Sequence, residues 1–164
     1  MKMIKIEPLS LDAFKTYGTF AHMINPTDER IGDGEVEFYR DQLQLNVAPQ
    51  NLLSYSCCRA EQRPLVLDGM ECHKCYEVVL PLDNDMLLLV APATPESTPP
   101  LEKVRGFFVP QGTAVSIKPG VWHGCPFSAN EKVANILINL PERTYANDCH
   151  FVPIPEKEQL GIEL

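Results

Sequence analysis

Apolar and polar residues alternate over short stretches of this chain, and few apolar repeats have helical spacing. Leu43, Leu45 and Val47 alternate with Gln42, Gln44 and Asn46, which predicts a half-buried strand. Pro49-Gln50-Asn51 then reads as a turn, followed by strands over Leu52 to Arg59 and Leu65 to Leu67. The runs Glu77 to Leu82 and Met86 to Ala91 flank Asp83-Asn84-Asp85, a hairpin signal. Val104 to Val109, Ala114 to Ile117 and Val133 to Leu140 predict three further strands. Helix is expected mainly at Ser10 to Tyr17, where Ser10 can cap, Leu11 and Phe14 share a face, and Gly18 can end it. A terminal helical turn is expected over Pro155 to Leu160.

Between these elements the chain is turn-rich. Asn25 to Gly34 is polar and reads as an exposed loop. Pro92 to Pro100 has four prolines in nine residues, so it cannot lie inside a sheet and reads as a loop within the domain. No repeat and no boundary interrupts the pattern, so residues 1–164 are expected to form one domain. About ten short strands with little helix must cover two apolar faces with each other, which predicts an all-β sandwich or barrel.

Composition narrows the function classes. The 164 residues are 45% hydrophobic and 22% charged, the balance of a soluble globular protein. The net charge of −8, with no block of Lys or Arg, argues against nucleic acid or an anionic membrane surface as partner. No apolar run is long enough to span a bilayer, and the start Met-Lys-Met-Ile-Lys-Ile-Glu-Pro has no signal-peptide core. A cytoplasmic setting follows, in which the six cysteines are expected as reduced thiols.

Two stretches carry candidate chemistry. Gly69 to Leu82 packs Glu71, Cys72, His73, Cys75 and Glu77 into seven residues. On a strand, Glu71 and His73 share a face and can meet one ion. A straight strand would carry Glu77 about 20 Å from Glu71 at ~3.3 Å per residue. To share an ion, the chain must fold back between His73 and Glu77, with Lys74-Cys75 in the reversal and Glu77 opening the next strand. In the second stretch, Gly112 leads into a short strand, Pro119-Gly120 makes a turn, and His123 follows. Two acids and two imidazoles suit a divalent ion with positions left open for substrate; zinc, manganese, iron and nickel all accept such ligands.

Each feature also has an ordinary reading. A single histidine is more often a packed or surface residue; two of them in paired stretches with acids at ligand spacing favour a metal site. Glu71 is the least usual ligand, and it could instead act as general base or orient an imidazole. Cys72-His-Lys-Cys75 is formally a Cys-x-x-Cys, but a zinc knuckle needs two more close ligands, for which only Cys125 and His123 offer themselves, and a redox pair normally opens a helix where none is predicted here. Small buried residues flanking the site are the simpler reading, and Cys57, Cys58 and Cys149 are expected as packing. Trp122 and Phe107-Phe108 read as core or pocket wall. His22 and His150 carry no assignment.

The two stretches resemble the paired motifs of the cupin superfamily. The first is matched by Glu71-x-His73-x3-Glu77, with Glu71 where the first His usually stands and Asn84 at the closing glycine. The second is matched at Gly112, Gly120 and His123, with Lys118 in the usual Pro position and Phe127 in that of the final Asn. This resemblance implies a cupin-like double-stranded β-helix with a short N-terminal helix and metal ligands at Glu71, His73, Glu77 and His123.

Over most of its length the chain resembles the ureidoglycolate lyase family. The residues that carry this are Pro8-Leu-Ser-x-x-Ala-Phe-x-x-Tyr-Gly18, Val36-Glu-x-Tyr-x-Asp41, Arg59-Ala60, Glu71-x-His73, Gly120-Val-Trp-His123 with Pro126, and Ile154-Pro-Glu156. That family cleaves ureidoglycolate to glyoxylate and urea in the allantoin pathway and is typically a dimer. The chain departs from it at Cys72, where Arg is usual, in the following Lys-Cys-Tyr-Glu, and at Gly120. The resemblance implies a carbon–nitrogen lyase acting on ureidoglycolate or a similar small 2-hydroxy acid amide, with roles for Glu71, Arg59 and Lys118. Glu71 would take the substrate hydroxyl proton, Arg59 would clamp the carboxylate, and Lys118 could do similar work from the barrel mouth. A base and a cationic clamp could manage the same elimination without metal. A non-catalytic cupin that senses a small acid, or another metal-cupin enzyme such as an isomerase or dioxygenase, are the alternatives.

Overall fold

The computed structural model describes residues 1–27, 39–46, 52–130 and 132–164. In chain order the strands are β1 (Lys2–Pro8), β2 (Gly18–His22), β3 (Leu53–Ala60), β4 (Val66–Leu67), β5 (Gly69–Cys72), β6 (Glu77–Pro81) and β7 (Met86–Ala91). They continue as β8 (Arg105–Val109), β9 (Thr113–Ile117), β10 (Trp122–His123), β11 (Phe127–Ser128), β12 (Ala134–Pro141), β13 (His150–Pro153) and β14 (Leu160–Glu163). The helices are single turns, α1 (Leu11–Phe14) and α2 (Thr144–Asn147). No helix among these residues is long and apolar enough to cross a membrane.

The strands form two sheets. One runs β13-β5-β10-β7-β8-β1-β14-β4, with β11 also paired to β7; the other runs β2-β9-β6-β12-β3. The all-apolar run Met86–Ala91 explains how they pack. All six of its residues are buried, because β7 is covered on both faces. Met86, Leu88 and Val90 join Val79, Val115, Ile136 and Phe107 in a cluster drawn from both sheets. Leu87, Leu89 and Ala91 join Leu67, Trp122, Phe127 and Leu160 in a second cluster, on the opposite face. This is the all-β architecture with a short N-terminal helix that the pattern predicted.

The helix at the start is capped as expected, with Ala13 N donating to Ser10 Oγ at 3.3 Å. Gly18, however, opens β2 instead of ending the helix. Its need for glycine is one of space: an added Cβ would stand 1.7 Å from the Ser116 carbonyl oxygen of β9. The turns around β9 do use glycine for its conformation, at Gly112 (φ 74°) and Gly120 (φ 77°).

Of the strand expected over residues 42–47, residues 42–46 form no strand among the described residues. Gln42–Asn46 has no ladder, while Val47 and the turn at 49–51 lie outside the described residues. Leu43 and Leu45 are nonetheless half-buried and Gln44 and Asn46 exposed, so the alternation reports packing without strand pairing. Of the loop expected over residues 25–34, residues 28–34 lie outside the described residues. The expected terminal turn is a 3-10 turn at Glu156–Glu158, after which Leu160–Glu163 is a strand paired in parallel with β1.

Candidate metal centre

The reversal that the first motif requires is present. Gly69–Cys72 is a strand, Lys74 and Cys75 lie in a bend, and Glu77 opens β6. β5 and β6 thereby enter different sheets, so Glu71 and Glu77 approach each other across the space between them. The second motif reaches the same place. His123 on β10 lies opposite Glu71 on β5 and Val90 on β7. Gly120 N donates to the His73 carbonyl oxygen at 2.7 Å, which ties the turn before His123 to the bend after His73.

Glu71, His73, Glu77 and His123 offer four ligand atoms that all lie within 4.8 Å of one another. Glu77 Oε2 is 3.3 Å from His73 Nε2 and 3.0 Å from His123 Nε2. Glu71 Oε1 stands further off, 3.8 Å and 3.7 Å from the same two nitrogens. His73, Glu77 and His123 are buried, while Glu71 is half-buried on the cavity side.

The imidazoles are held from behind. His73 Nδ1 lies 3.2 Å from the Asp148 carbonyl oxygen, and His123 Nδ1 lies 3.1 Å from that of Val121. A carbonyl can only accept, so each Nδ1 carries a proton, and in the neutral ring Nε2 carries the lone pair that faces the other ligands. His73 Nε2, His123 Nε2 and Glu77 Oε2 are buried with no hydrogen-bond partner; they are close but misaligned for hydrogen bonds. Three such atoms aimed at one point are costly unless something bridges them. Bonds of about 2.0–2.2 Å to one ion set neighbouring ligand atoms about 3.0–3.5 Å apart. The donor set therefore fits a divalent ion, and this buried group could bind one.

Their electrostatics are strongly coupled. Burial pushes the Glu77 carboxyl up, but the neighbouring His123 and His73 outweigh it and hold it at about 2. Burial pulls His73 down, yet the Glu71 and Glu77 carboxylates beside it raise it to about 10. His123 is likewise raised, burial being outweighed chiefly by Glu77. Glu71 is lowered, because His73 and the Cys149 thiol offset its burial. Without metal, both acids are ionised and the His73 ring is protonated at neutral pH.

Glu71, Glu77 and His123 open onto a cavity of about 220 Å³. Val79, Leu88, Ile138 and Pro126 supply apolar wall, and the half-exposed Tyr145 and Phe151 flank its opening. The ring of Tyr145 stands edge-on to that of His73, with centroids 6.1 Å apart. The structure does not bring Arg59 or Lys118 to this cavity. Cys58 faces it, so by strand alternation Arg59 points the other way, exposed and paired with Glu61. Lys118 Nζ donates to the Lys15 carbonyl oxygen at 2.5 Å on the surface. No Lys or Arg among the described residues lines the cavity.

All six cysteines are free thiols, and none joins the four-ligand group. Cys72 and Cys75 are half-buried and pack against the two apolar clusters, as small flanking residues should. His22 bonds to Thr113 and His150 to the Ser97 carbonyl, both away from the site. Sequence reasoning missed Tyr145 and Asp148 and took Cys149 for packing, whereas its thiol donates to Glu71 Oε2 at 3.0 Å. The three come from one segment with no motif of its own, so no local signal marked them.

The profile of the ureidoglycolate lyase family matches residues 1–160. A ureidoglycolate lyase of Escherichia coli (strain SMS-3-5 / SECEC) is 27% identical over 158 residues, covering 94% of this chain and 96% of that protein. One from Shigella boydii serotype 18 is 26% identical with the same coverage. Among solved structures, variants of Bacillus subtilis oxalate decarboxylase align at 14% identity with a TM-score of 0.44. That alignment covers 64% of this chain and 26% of the decarboxylase, so the chain spans about a quarter of its length.

Proposed function

The chain belongs to the ureidoglycolate lyase family, and on that premise we propose that its acid–imidazole group is a divalent-metal centre at which ureidoglycolate is cleaved to glyoxylate and urea. The observation that carries the metal reading is the trio of buried, unpartnered ligand atoms on His73, Glu77 and His123. The same three side chains hold the ion. Zinc, manganese, iron and nickel all suit this donor set. When bound, the ion supplies a Lewis acid that favours the ionised substrate hydroxyl and the oxygen charge developing as the carbonyl forms.

The chain's own residues do the rest. Glu71, ionised and on the cavity side of the cluster, accepts the proton of the substrate hydroxyl. The oxygen's electron pair then forms the aldehyde carbonyl of glyoxylate while the carbon–nitrogen bond breaks. The departing nitrogen leaves with that bond's electrons and takes up one proton to become urea. Glu71 now holds such a proton, so the balance closes without a second acid. The apolar wall around Leu88 and Ile138 excludes water, which strengthens every charge interaction inside. With Arg59 and Lys118 elsewhere, no Lys or Arg among the described residues lines the cavity to hold the substrate carboxylate, and a bound ion would be its positive partner. The enzyme works as a single cytoplasmic domain and as a homodimer. Urea and glyoxylate released together from ureidoglycolate, lost on chelation and regained with one of these ions, is the expected result; release unaffected by metal removal refutes the metal role, and no release refutes the lyase reading.

A further inference from the structure

The segment that follows β12 touches the site from outside at several points, and the reaction just described leaves these contacts without a role. Asp148 accepts twice: its carbonyl from His73 Nδ1 at 3.2 Å and its carboxylate Oδ2 from Lys74 N at 2.8 Å. One residue thus fixes both the ring of His73 and the bend that carries it. The next residue, Cys149, donates its thiol hydrogen to Glu71 Oε2 at 3.0 Å. β13 begins directly afterwards and pairs with β5, with Phe151 opposite Glu71, so the backbones bearing Cys149 and Glu71 are locked in register.

We infer that Cys149 is a positioning residue for Glu71, holding Oε2 so that Oε1 is the oxygen presented to the cluster and to substrate. This rests on the reading of Glu71 as proton acceptor and adds what sets its geometry. Glu71 needs such a restraint because it is half-buried and stands 3.7 to 3.8 Å from both imidazole nitrogens; the shorter contacts belong to Glu77. A carboxylate on a freely turning side chain would offer either oxygen, or swing into the cavity. With Oε2 occupied by the thiol hydrogen, one rotamer and one oxygen remain. Cys149 is not a ligand: its sulfur faces the carboxylate oxygen that points away from the cluster, and the ligand group does not include it. A hydroxyl can replace the thiol as donor, whereas a methyl group cannot.

The experiment compares Cys149→Ala and Cys149→Ser with wild type in the metal-loaded full chain, by steady-state urea release, metal content and crystal structure. Removing a partner that orients a metal-site residue changes activity about 10-fold or more. Cys149→Ala is therefore expected to lower kcat about tenfold with KM and metal content nearly unchanged, its Glu71 carboxylate turned from the wild-type position. Cys149→Ser is expected to recover most of the loss, with Glu71 in place. Wild-type kcat in Cys149→Ala, loss of metal from it, or a Cys149→Ser variant equally impaired would overturn the inference. If wild type releases no urea, the lyase reading fails separately. The Glu71 position then decides this inference: turned in the Ala variant and restored in the Ser variant upholds it, and unmoved in the Ala variant overturns it.

Discussion

His123 Nε2 lies 3.0 Å from Glu77 Oε2, and this contact joins β10 of one sheet to β6 of the other. It is the point where two motifs, separate in the chain, become one site. The ligands are therefore as rigid as the sheets that carry them. Because neither atom has a hydrogen-bond partner, the contact is poorly satisfied in the protein alone and favours an ion that binds both.

Replacing Glu77 by Gln keeps the volume and removes the charge. The variant should fail to retain metal. In chelator-treated protein it should also lose about 1–3 kcal/mol of stability, the range for a buried polar group deprived of its partner. Urea denaturation of wild type and variant, both with chelator, measures this; equal midpoints would mean that Glu77 is not the acid that balances the imidazoles.

The cluster gives the metal-free protein a defined pH response. His73 is raised from 6.5 to about 10 on folding, so its stabilisation is whole below pH 6.5 and is lost as pH rises through 10. Glu77 is lowered from 4.5 to about 2, so its contribution is whole above pH 4.5 and is lost as pH falls through 2. Both are complete only between pH 4.5 and 6.5. Melting curves of chelated protein should show this cluster's contribution falling off on both sides of that window. Metal uptake at pH 7 should release protons from the imidazoles, seen by calorimetry in two buffers of different ionisation enthalpy. Uptake without proton release would contradict the ligand set.

Arg59 and Lys118 lie outside the cavity, the first paired with Glu61 and the second bonded to a backbone carbonyl. Arg59→Ala and Lys118→Ala should each leave kcat/KM for ureidoglycolate within about twofold of wild type, as exposed substitutions remote from the site do. A hundredfold rise in KM for either would place a carboxylate clamp where the structure has none.

How much of this was legible in the sequence depends on how local each signal is. The apolar run Met86–Ala91 was readable from its length and composition, and the reversal between His73 and Glu77 because the acids could share an ion only if the chain folded back there. β1 and β14 were not, because each is stabilised by the other: Ile4 pairs with Ile162 from the far end of the chain. β13 carries a proline and exposed side chains at the edge of its sheet, so it has no alternation to read. Arg59 failed as a cavity residue through parity, since its neighbour Cys58 takes the inward face. Leu43 and Leu45 kept their half-buried sides without becoming a strand. The convergence of Glu71, His73, Glu77 and His123 followed from motif spacing, whereas the Asp148 and Cys149 contacts arise only where α2 folds back onto the bend.

The most direct test of the centre is metal analysis of His123→Ala beside wild type, both purified without chelator and equilibrated with zinc, manganese, iron or nickel salts. One ion per wild-type chain is expected, falling to about a tenth or less in the variant while circular dichroism shows the fold intact. Equal metal in both proteins, or none in folded wild type with any of these ions, would contradict a centre built on His73, Glu77 and His123.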